Sequence, residues 1–468
     1  MMRRLVWVVL CVAMSGSLRG ERPNFVILIA DDLGYGETGM MGRDDVPTPA
    51  IDALAADGVR CTSAYVTSSY CAPSRAGFMT GRYQSRFGAD DNPTGKRNLS
   101  PEAGIPESET TFIKRLDDAG YRTALVGKWH CGTAPQRIPT RRGFDQFFGF
   151  LHEGHYYVPG PPYNDVLTMI RDKSLQQGTR TRTGDLIRGN YAPINEPPYD
   201  ADNPLLISDE SGKLNPVDVD VYLTDAITQQ ATKFIAQPSQ DPFCLVVAYN
   251  AVHSPMQALL EDLSHLSRIE DVQRRIFAGM LIALDRSVGQ IRQSLRDAGV
   301  DEQTMIVFLS DNGGPTKELT SSNGPLRDGK GSVYEGGLRV PMVWTYPGTF
   351  PAGRVEPRTV VSLDVAATAL DLAGLEVPAD MDGRSLAQWF NDPLAKTPHH
   401  ELFWRMPRGK AAFRKGDWKI VRPKAGEPFE LYHLRADVAE SKNLASQYPD
   451  VMKDLVNGWL ATDSMMPE

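Results

Sequence analysis

Cys71 stands in the run Ser69-Tyr70-Cys71-Ala72-Pro73-Ser74-Arg75-Ala76-Gly77-Phe78-Met79-Thr80-Gly81-Arg82, whose residues after the cysteine read as a helix start. A thiol at a helix N-terminus beside a guanidinium is expected to have a lowered pKa. Aligned backbone N–H groups and Arg75 both favour its anion. Cys71 is thus a nucleophile or a modification site by its chemistry. The competing reading is a buried free thiol, because cysteine is among the most buried residue types.

Asp31 and Asp32 close one apolar run, and Asp311 and Asn312 close another. Hard oxygen donors without thiolate or imidazole suit calcium or magnesium, although a single Asp after a strand is often a cap or turn residue. Gly-Tyr-Gly follows the first pair and Gly-Gly the second, where glycine lets backbone approach a ligand closely. Arg75, Lys128, Lys330, His130 and His253 are the cationic or titratable complement. Lysine meets the oxygens of a tetrahedral anionic ester as a point charge. Histidine can protonate a leaving oxygen near neutral pH, whereas His253 in a His-x-Pro run also fits a loop residue with no such role.

Four runs must position these groups: Phe25 to Ala30, Thr123 to Val126, Phe243 to Ala248 and Met305 to Leu309, each ending in polar residues. Continuous apolar runs without alternation read as strands buried on both faces of a parallel sheet. Ligands bind beyond the carboxyl ends of such strands. Helices are expected from a Thr48 cap with Pro49 to Gly58, from Thr111 to Ala119, from Val221 to Ala236 and from Asp271 to Ala298. Alternation of strand and helix predicts a doubly wound α/β domain. Residues 155–218 read as a long elaborated loop. After residue 375 the texture changes, and 376–468 reads as a small α+β subdomain with strands near Leu402, Ala411, Trp418 and Glu430 and a helix over Pro449 to Ala461.

Length favours two or three domains, or one large domain with an appendage. With 41% hydrophobic and 23% charged residues, the chain is ordinary globular in class. Residues 1–20 carry Arg3 and Arg4, an apolar run and small residues, the layout of a secretory signal peptide too short to span a bilayer. A lipoprotein leader is the alternative because of Cys11, though Leu10 before it is bulky. The mature protein is expected in the periplasm or outside the cell, with no membrane span. Its net charge of −8 becomes −11 once Arg3, Arg4 and Arg19 leave, which disfavours nucleic acid. Cys11, Cys61, Cys71, Cys131 and Cys244 form neither a disulfide framework nor a zinc-thiolate motif.

Cys-x-Pro-Ser-Arg followed by Thr-Gly-Arg resembles the maturation signature of the type I, formylglycine-dependent sulfatases. The blocks from Asn24 to Gly36, Gly120 to Gly132, Asn250 to Pro255, Ser310 to Gly314 and Lys330 to Pro341 are similar to that family in the same order, closest to its arylsulfatase and N-acetylgalactosamine-sulfatase members. The resemblance implies an alkaline-phosphatase-like catalytic domain over 21–375. It implies that Cys71 is oxidised to formylglycine by a formylglycine-generating enzyme or a radical maturase. It further implies one calcium, with magnesium second, bound by Asp31, Asp32, Asp311, Asn312 and the modified Cys71. In this family pattern Arg75 steadies the aldehyde hydrate, and Lys128, Lys330 and His253 hold the sulfate. Asp311 takes the proton of the attacking hydroxyl, His253 or Lys128 protonates the leaving alcohol, and His130 deprotonates the second hydroxyl to expel sulfate. Cys131 and Cys61 replace residues usual in the family, and they either fill the core or pair.

Rival readings are a formylglycine-dependent phosphodiester or phosphonate hydrolase and a noncatalytic protein that binds sulfated glycans. A carbohydrate sulfate ester is the expected substrate. His152, Glu153, His155, Tyr156 and Tyr157 either line the pocket mouth for sugar stacking or pack. Arg171, Lys173, Arg180, Arg182 and Arg188 form a locally basic stretch that either meets a polyanionic glycan or is a solvated loop.

Overall fold

The computed structural model describes residues 22–158, 166–169, 186–188 and 203–467. The leader expected over 1–20, Arg171, Lys173, Arg180 and Arg182, and the Arg188 side chain lie outside the described residues.

Strand Asn24–Ala30 lies inside a ten-stranded sheet. It pairs in parallel with Thr304–Ser310 on one side and with Phe243–Ala248 on the other; Arg122–Lys128 and Gln146–Phe150 continue the parallel run. The margins are mixed and mainly antiparallel. Met342–Thr345, Val59–Cys61 and Arg354–Glu356 extend one side, and Leu206–Ser208 and Leu214–Pro216 the other. These marginal strands hold three or four residues each, too few for a readable pattern. Part of the segment read as an elaborated loop therefore builds the sheet edge. Val166–Met169 pairs with Met256–Leu259 on one side and with Leu186–Arg188 on the other in a second small sheet.

Side chains of the central strands alternate between two apolar layers. Val26, Leu28, Leu245, Val247 and Phe308 face helices Pro49–Asp57, Leu223–Ile235 and Val272–Asp297. Phe25, Ile27, Ile29, Val246 and Val307 face helices Cys71–Thr80, Phe112–Asp118 and Asp364–Leu372. Both faces are covered, which is why the runs carry no polar alternation. Thr111 and Asp271 cap their helices through the N–H groups of Lys114 and Arg274. Thr48 does not: its hydroxyl accepts from Gly39 N–H, and the first amides of its helix, Ala50 and Ile51, are met by Asp285 at 3.1 and 2.8 Å. A cap supplied by another helix leaves no local sequence trace.

Cys61, Cys71, Cys131 and Cys244 are all free and buried. Cys61, Cys131 and Cys244 belong to the second layer, so Cys61 and Cys131 are core fillers and do not pair.

The C-terminal part is a four-stranded antiparallel sheet, Glu401–Met406, Lys410–Lys415, Trp418–Arg422 and Glu430–His433, with helix Pro449–Asp463. One face, including Phe403, Phe413 and Ile420, packs on Leu455 and Trp459 of that helix. The other, including Leu402, Trp404 and Val421, packs on Tyr65, Val333 and Leu338 of the large domain. Lys419 crosses this seam fully buried, 2.8 Å from Glu335 and 3.0 Å from Glu440. Removing one partner of a buried charge group leaves the others uncompensated. Lys419→Met is expected to lower the unfolding free energy by about 3–5 kcal/mol, read as a lower urea midpoint. Adding Glu440→Gln should restore part of that loss; an unchanged midpoint in the single variant would contradict the assignment.

Candidate active site

The parallel register sets Ala30 beside Ser310 and Ile29 beside Ala248, so the polar residues after the three strands emerge together. Asp31 and Asp32 leave the first strand and Asp311 and Asn312 the second. Lys128 ends its own strand, with His130 two residues on. His253 follows the Phe243–Ala248 strand. The strand bearing Lys128 approaches closely because residue 127 is glycine: at its φ of +112°, a Cβ would sit 1.9 Å from the Ala248 carbonyl oxygen.

Helix Cys71–Thr80 aims its N-terminus into this crevice. Pro73 lies in the first turn, where its missing N–H costs nothing, and Gly81 closes the helix at φ +68°. Cys71 Sγ lies 3.5 Å from Asp31 Oδ1. Donor atoms of Asp31, Asp32, Cys71 and Asp311 lie within 4.8 Å of one another, and His253 is equally close to Asp31 and Cys71. The structure thus brings all the expected residues together, Cys71, Arg75, Lys128, His130, His253 and Lys330 among them.

Each acid has its own cation. Lys128 Nζ donates to Asp31 at 2.6 Å, both side chains being wholly buried. Lys330 Nζ lies 2.7 and 2.8 Å from the two oxygens of Asp32, and Arg75 Nε donates to Asp311 at 2.8 Å. Burial works against the Asp32 carboxylate, yet Lys330, His253 and Asn312 hold it down at about 2. Asp311 is instead pushed up to about 6, by burial first and then by Asp31. Asp32 and His130 adopt left-handed φ of 65° and 54°. Asp and His tolerate that region better than most side chains, at an order of about 1–3 kcal/mol per residue.

The histidines have defined tautomers because a carbonyl only accepts. His130 Nε2 must donate to the Pro93 carbonyl at 2.9 Å, and its buried Nδ1 has no partner among the described residues. His253 Nδ1 donates to the Ser254 carbonyl at 2.7 Å, leaving Nε2 3.6 Å from Asp32. Burial and the neighbouring lysines hold both neutral, His253 at about 3 and His130 well below its ordinary value.

Cys71 departs from expectation. Its pKa is raised: complete burial outweighs the lowering by Lys128 and Lys330, and Arg75 is committed to Asp311 and to the Lys128 carbonyl. A helix N-terminus acidifies a thiol only where solvent or a cation compensates desolvation. As a thiol, Cys71 is a poor nucleophile.

The donor set fits a hard divalent cation. Asn312 Nδ2 donates to Asp32, but its buried Oδ1 has no partner among the described residues, and Arg75 Nη2 is likewise unpartnered. Carboxylate and amide oxygens converging from two loops are the ligand type that calcium takes.

His152, Glu153, His155, Tyr156 and Tyr157 are all buried, which favours packing over an open pocket mouth. Tyr157 stacks on Tyr222 and sets its hydroxyl 2.7 and 2.8 Å from the Asn250 and His253 carbonyls, while Glu153 accepts from Gly95 N–H and Asn98 beside Pro93. They brace the two histidine loops. Sequence reading missed Ser321 and Asn323 altogether. Ser321 Oγ accepts from Gly34 N–H and donates to the Asp32 carbonyl, and Asn323 Oδ1 accepts from Tyr35 and Gly314 N–H. Nothing in the run from 315 to 329 signals a buttress joining two distant acid loops. A groove of about 1140 Å³ opens at the other end of the sheet, beside Asn24, Arg122 and Phe243, and plays no part in this geometry.

The Sulfatase family model matches residues 23–375, and a model for the C-terminal part of N-sulphoglucosamine sulphohydrolase matches 328–461. The chain is 33% identical over 400 residues to N-acetylgalactosamine-6-sulfatase of Canis lupus familiaris, covering 82% of this chain and 69% of that one. It is 30% identical over 441 residues to human steryl-sulfatase, covering 82% and 72%. Ps i-CgsB in complex with k-i-k-neocarrahexaose superposes with a TM-score of 0.81 at 32% identity, covering 95% of this chain and 94% of that one. The phosphonate monoester hydrolase of Agrobacterium radiobacter, at 19% identity and a TM-score of 0.66 over 95% of each chain, shares the fold. With the family model spanning every strand of the large sheet and relatives a third identical over four fifths of the chain, the protein belongs to the sulfatase family and is a sulfuric ester hydrolase.

Proposed function

We propose that the protein is an exported sulfatase that removes sulfate from a carbohydrate, using formylglycine made from Cys71 and one calcium ion. The observation that carries the reading is the convergence of Cys71 with Asp31, Asp32 and Asp311 inside 4.8 Å, beside the unpartnered Asn312 Oδ1. A buried, protonated thiol is inert there, whereas an oxygen at the same position belongs with the hard donors. The layout of residues 1–20 supports export and hence access to a maturation enzyme. Relatives named for N-acetylgalactosamine 6-sulfate and a neighbour holding neocarrahexaose support a saccharide.

The hydrated aldehyde supplies one hydroxyl to attack sulfur and a second whose deprotonation later expels sulfate. Asp31, Asp32, Asp311 and Asn312 would hold the calcium, whose charge would favour oxyanions beside it. Asp311 takes the proton of the attacking hydroxyl. Three buried carboxylates already face three cations, so a divalent ion leaves the site net positive and ready for an anionic ester. Lys128 and Lys330 then hold sulfate oxygens as point charges. An anion beside His253 raises its proton affinity, so Nε2 donates to the leaving oxygen. His130 accepts the second proton at Nδ1, the only nitrogen not bound to Pro93. Arg75 keeps Asp311 oriented and offers Nη2 to the hydrate.

Two experiments test this reading. In natively exported protein, the peptide bearing Cys71 should show the mass of an aldehyde in place of the thiol. That protein should hydrolyse 4-nitrophenyl sulfate far faster than 4-nitrophenyl phosphate, with Cys71→Ala reducing turnover by at least ~10³-fold. An unmodified thiol, or preference for the phosphate, would overturn the proposal. Calcium at 100 times its Kd should stabilise the fold by about 2.7 kcal/mol, seen as a rise of the thermal midpoint that Asn312→Ala diminishes and magnesium reproduces poorly. No calcium-dependent rise would refute the metal assignment.

A further inference from the structure

We propose that Arg408 binds a second anionic group of the substrate, carried on a sugar adjoining the one that holds the scissile sulfate. The proposal rests on the reading of the protein as a carbohydrate sulfatase and narrows its substrates to saccharides with more than one negative charge.

Arg408 sits on the turn Pro407–Gly409 between the first two strands of the C-terminal sheet, where Met406 pairs with Lys410. Two contacts seat this turn against loops of the active site, and a third ties those loops to each other. Ser69 Oγ donates to Met406 Sδ at 3.2 Å, Lys410 Nζ donates to the Gly331 carbonyl, and Gly331 N–H donates to the Ser69 carbonyl at 2.9 Å. Ser69 lies two residues before Cys71, and Gly331 directly follows Lys330. The turn therefore abuts the seam between the loop that carries the nucleophile position and the loop that carries a sulfate-holding lysine.

The turn is held rigidly. Ala425 N–H donates to the Arg408 carbonyl at 3.2 Å, and Arg422 Nε donates to the Gly409 carbonyl at 2.9 Å. This framework holds Arg408 at φ +62°, a conformation an arginine adopts only at a cost. Arg408 is exposed and its guanidinium has no hydrogen bond or ion pair among the described residues, in a protein of net charge −8 where Arg405 and Arg327 nearby are engaged. Arg405 pairs with Asp90, and Arg327 stacks on Tyr334 at 3.7 Å and bonds to Tyr432 and Glu440.

Lys410 is half-buried beside Arg408. Burial and the Arg408 charge lower its proton affinity, against a weaker pull from Asp328. Two neighbouring cations with so little acid between them repel, and an anion seated on both relieves that repulsion. The planar fork of a guanidinium matches the paired oxygens of sulfate or carboxylate. Tyr70, partly exposed and directly before Cys71 in the chain, sets its ring against Gly331.

The test uses Cys71→Ala protein, which binds without turnover, titrated by calorimetry with neocarrabiose bearing one sulfate and neocarrabiose bearing two. The background variant is expected to bind the disulfated sugar about tenfold more tightly than the monosulfated one. Adding Arg408→Ala should bring that ratio close to one, and Arg408→Lys should keep part of it. A purely structural role for Arg408 would weaken both ligands alike and leave the ratio intact, which overturns the proposal. Absence of any preference in the background variant, or of binding by either sugar, overturns it too. Failure of the underlying sulfatase reading is scored separately, by the lack of sulfate release from 4-nitrophenyl sulfate in the native protein.

Discussion

Three buried carboxylates within 4.8 Å of one another repel by about 4 kcal/mol per pair at an effective dielectric of 20, and the architecture around them answers that repulsion. Lys128 reaches in from a strand end, Lys330 from a loop and Arg75 from the second turn position of a helix. These are three different kinds of element, and none could supply its cation if the sheet register shifted by one residue. The balance is uneven. Asp32, with a lysine, a histidine and an amide around it, is strongly acidic, while Asp311, closest to the repulsion of Asp31, is not. One cluster thus holds a firm anion beside a carboxylate whose proton affinity is raised by burial and by Asp31.

Holding charges so near together requires a frame that does not relax. The parallel strands are covered on both faces, so the loops beyond their carboxyl ends start from fixed points. A second tier fixes the loops themselves. Ser321 and Asn323 tie the Asp32 loop to the Asp311 loop, Tyr157 sits under the His253 loop, and Glu153 fastens the segment that accepts from His130. The left-handed backbone at Asp32 and His130 persists because these contacts over-determine it.

The C-terminal sheet belongs to the same frame. Its inner face is apolar against Tyr65 and Leu338, and Lys419 anchors Glu335, a few residues beyond Lys330. Its first turn reaches the rim beside Ser69 and Gly331. A subdomain that would otherwise be an appendage therefore helps to set the position of a site residue and contributes to the rim of the cleft.

Much was legible in the chain. Long apolar runs marked the parallel strands because burial on both faces removes alternation, and acids, lysines and histidines at their ends marked the crevice because strand polarity places all carboxyl ends together. Short motifs around Cys71, Lys128 and Lys330 identified the family because the chemistry needs those residue types at those spacings. Tertiary structure alone decided the rest. Desolvation, a property of the assembled interior, raised the Cys71 thiol where helix and guanidinium predicted the opposite. Between the two readings of His152 to Tyr157, the folded chain favours packing. Asp285 capping a helix far away in sequence, Asn323 bridging two acid loops, and Lys410 brought beside the Lys330 loop depend on long-range packing. Local sequence encodes strand, helix and motif through neighbours along the chain, but burial and charge balance are set by neighbours in space.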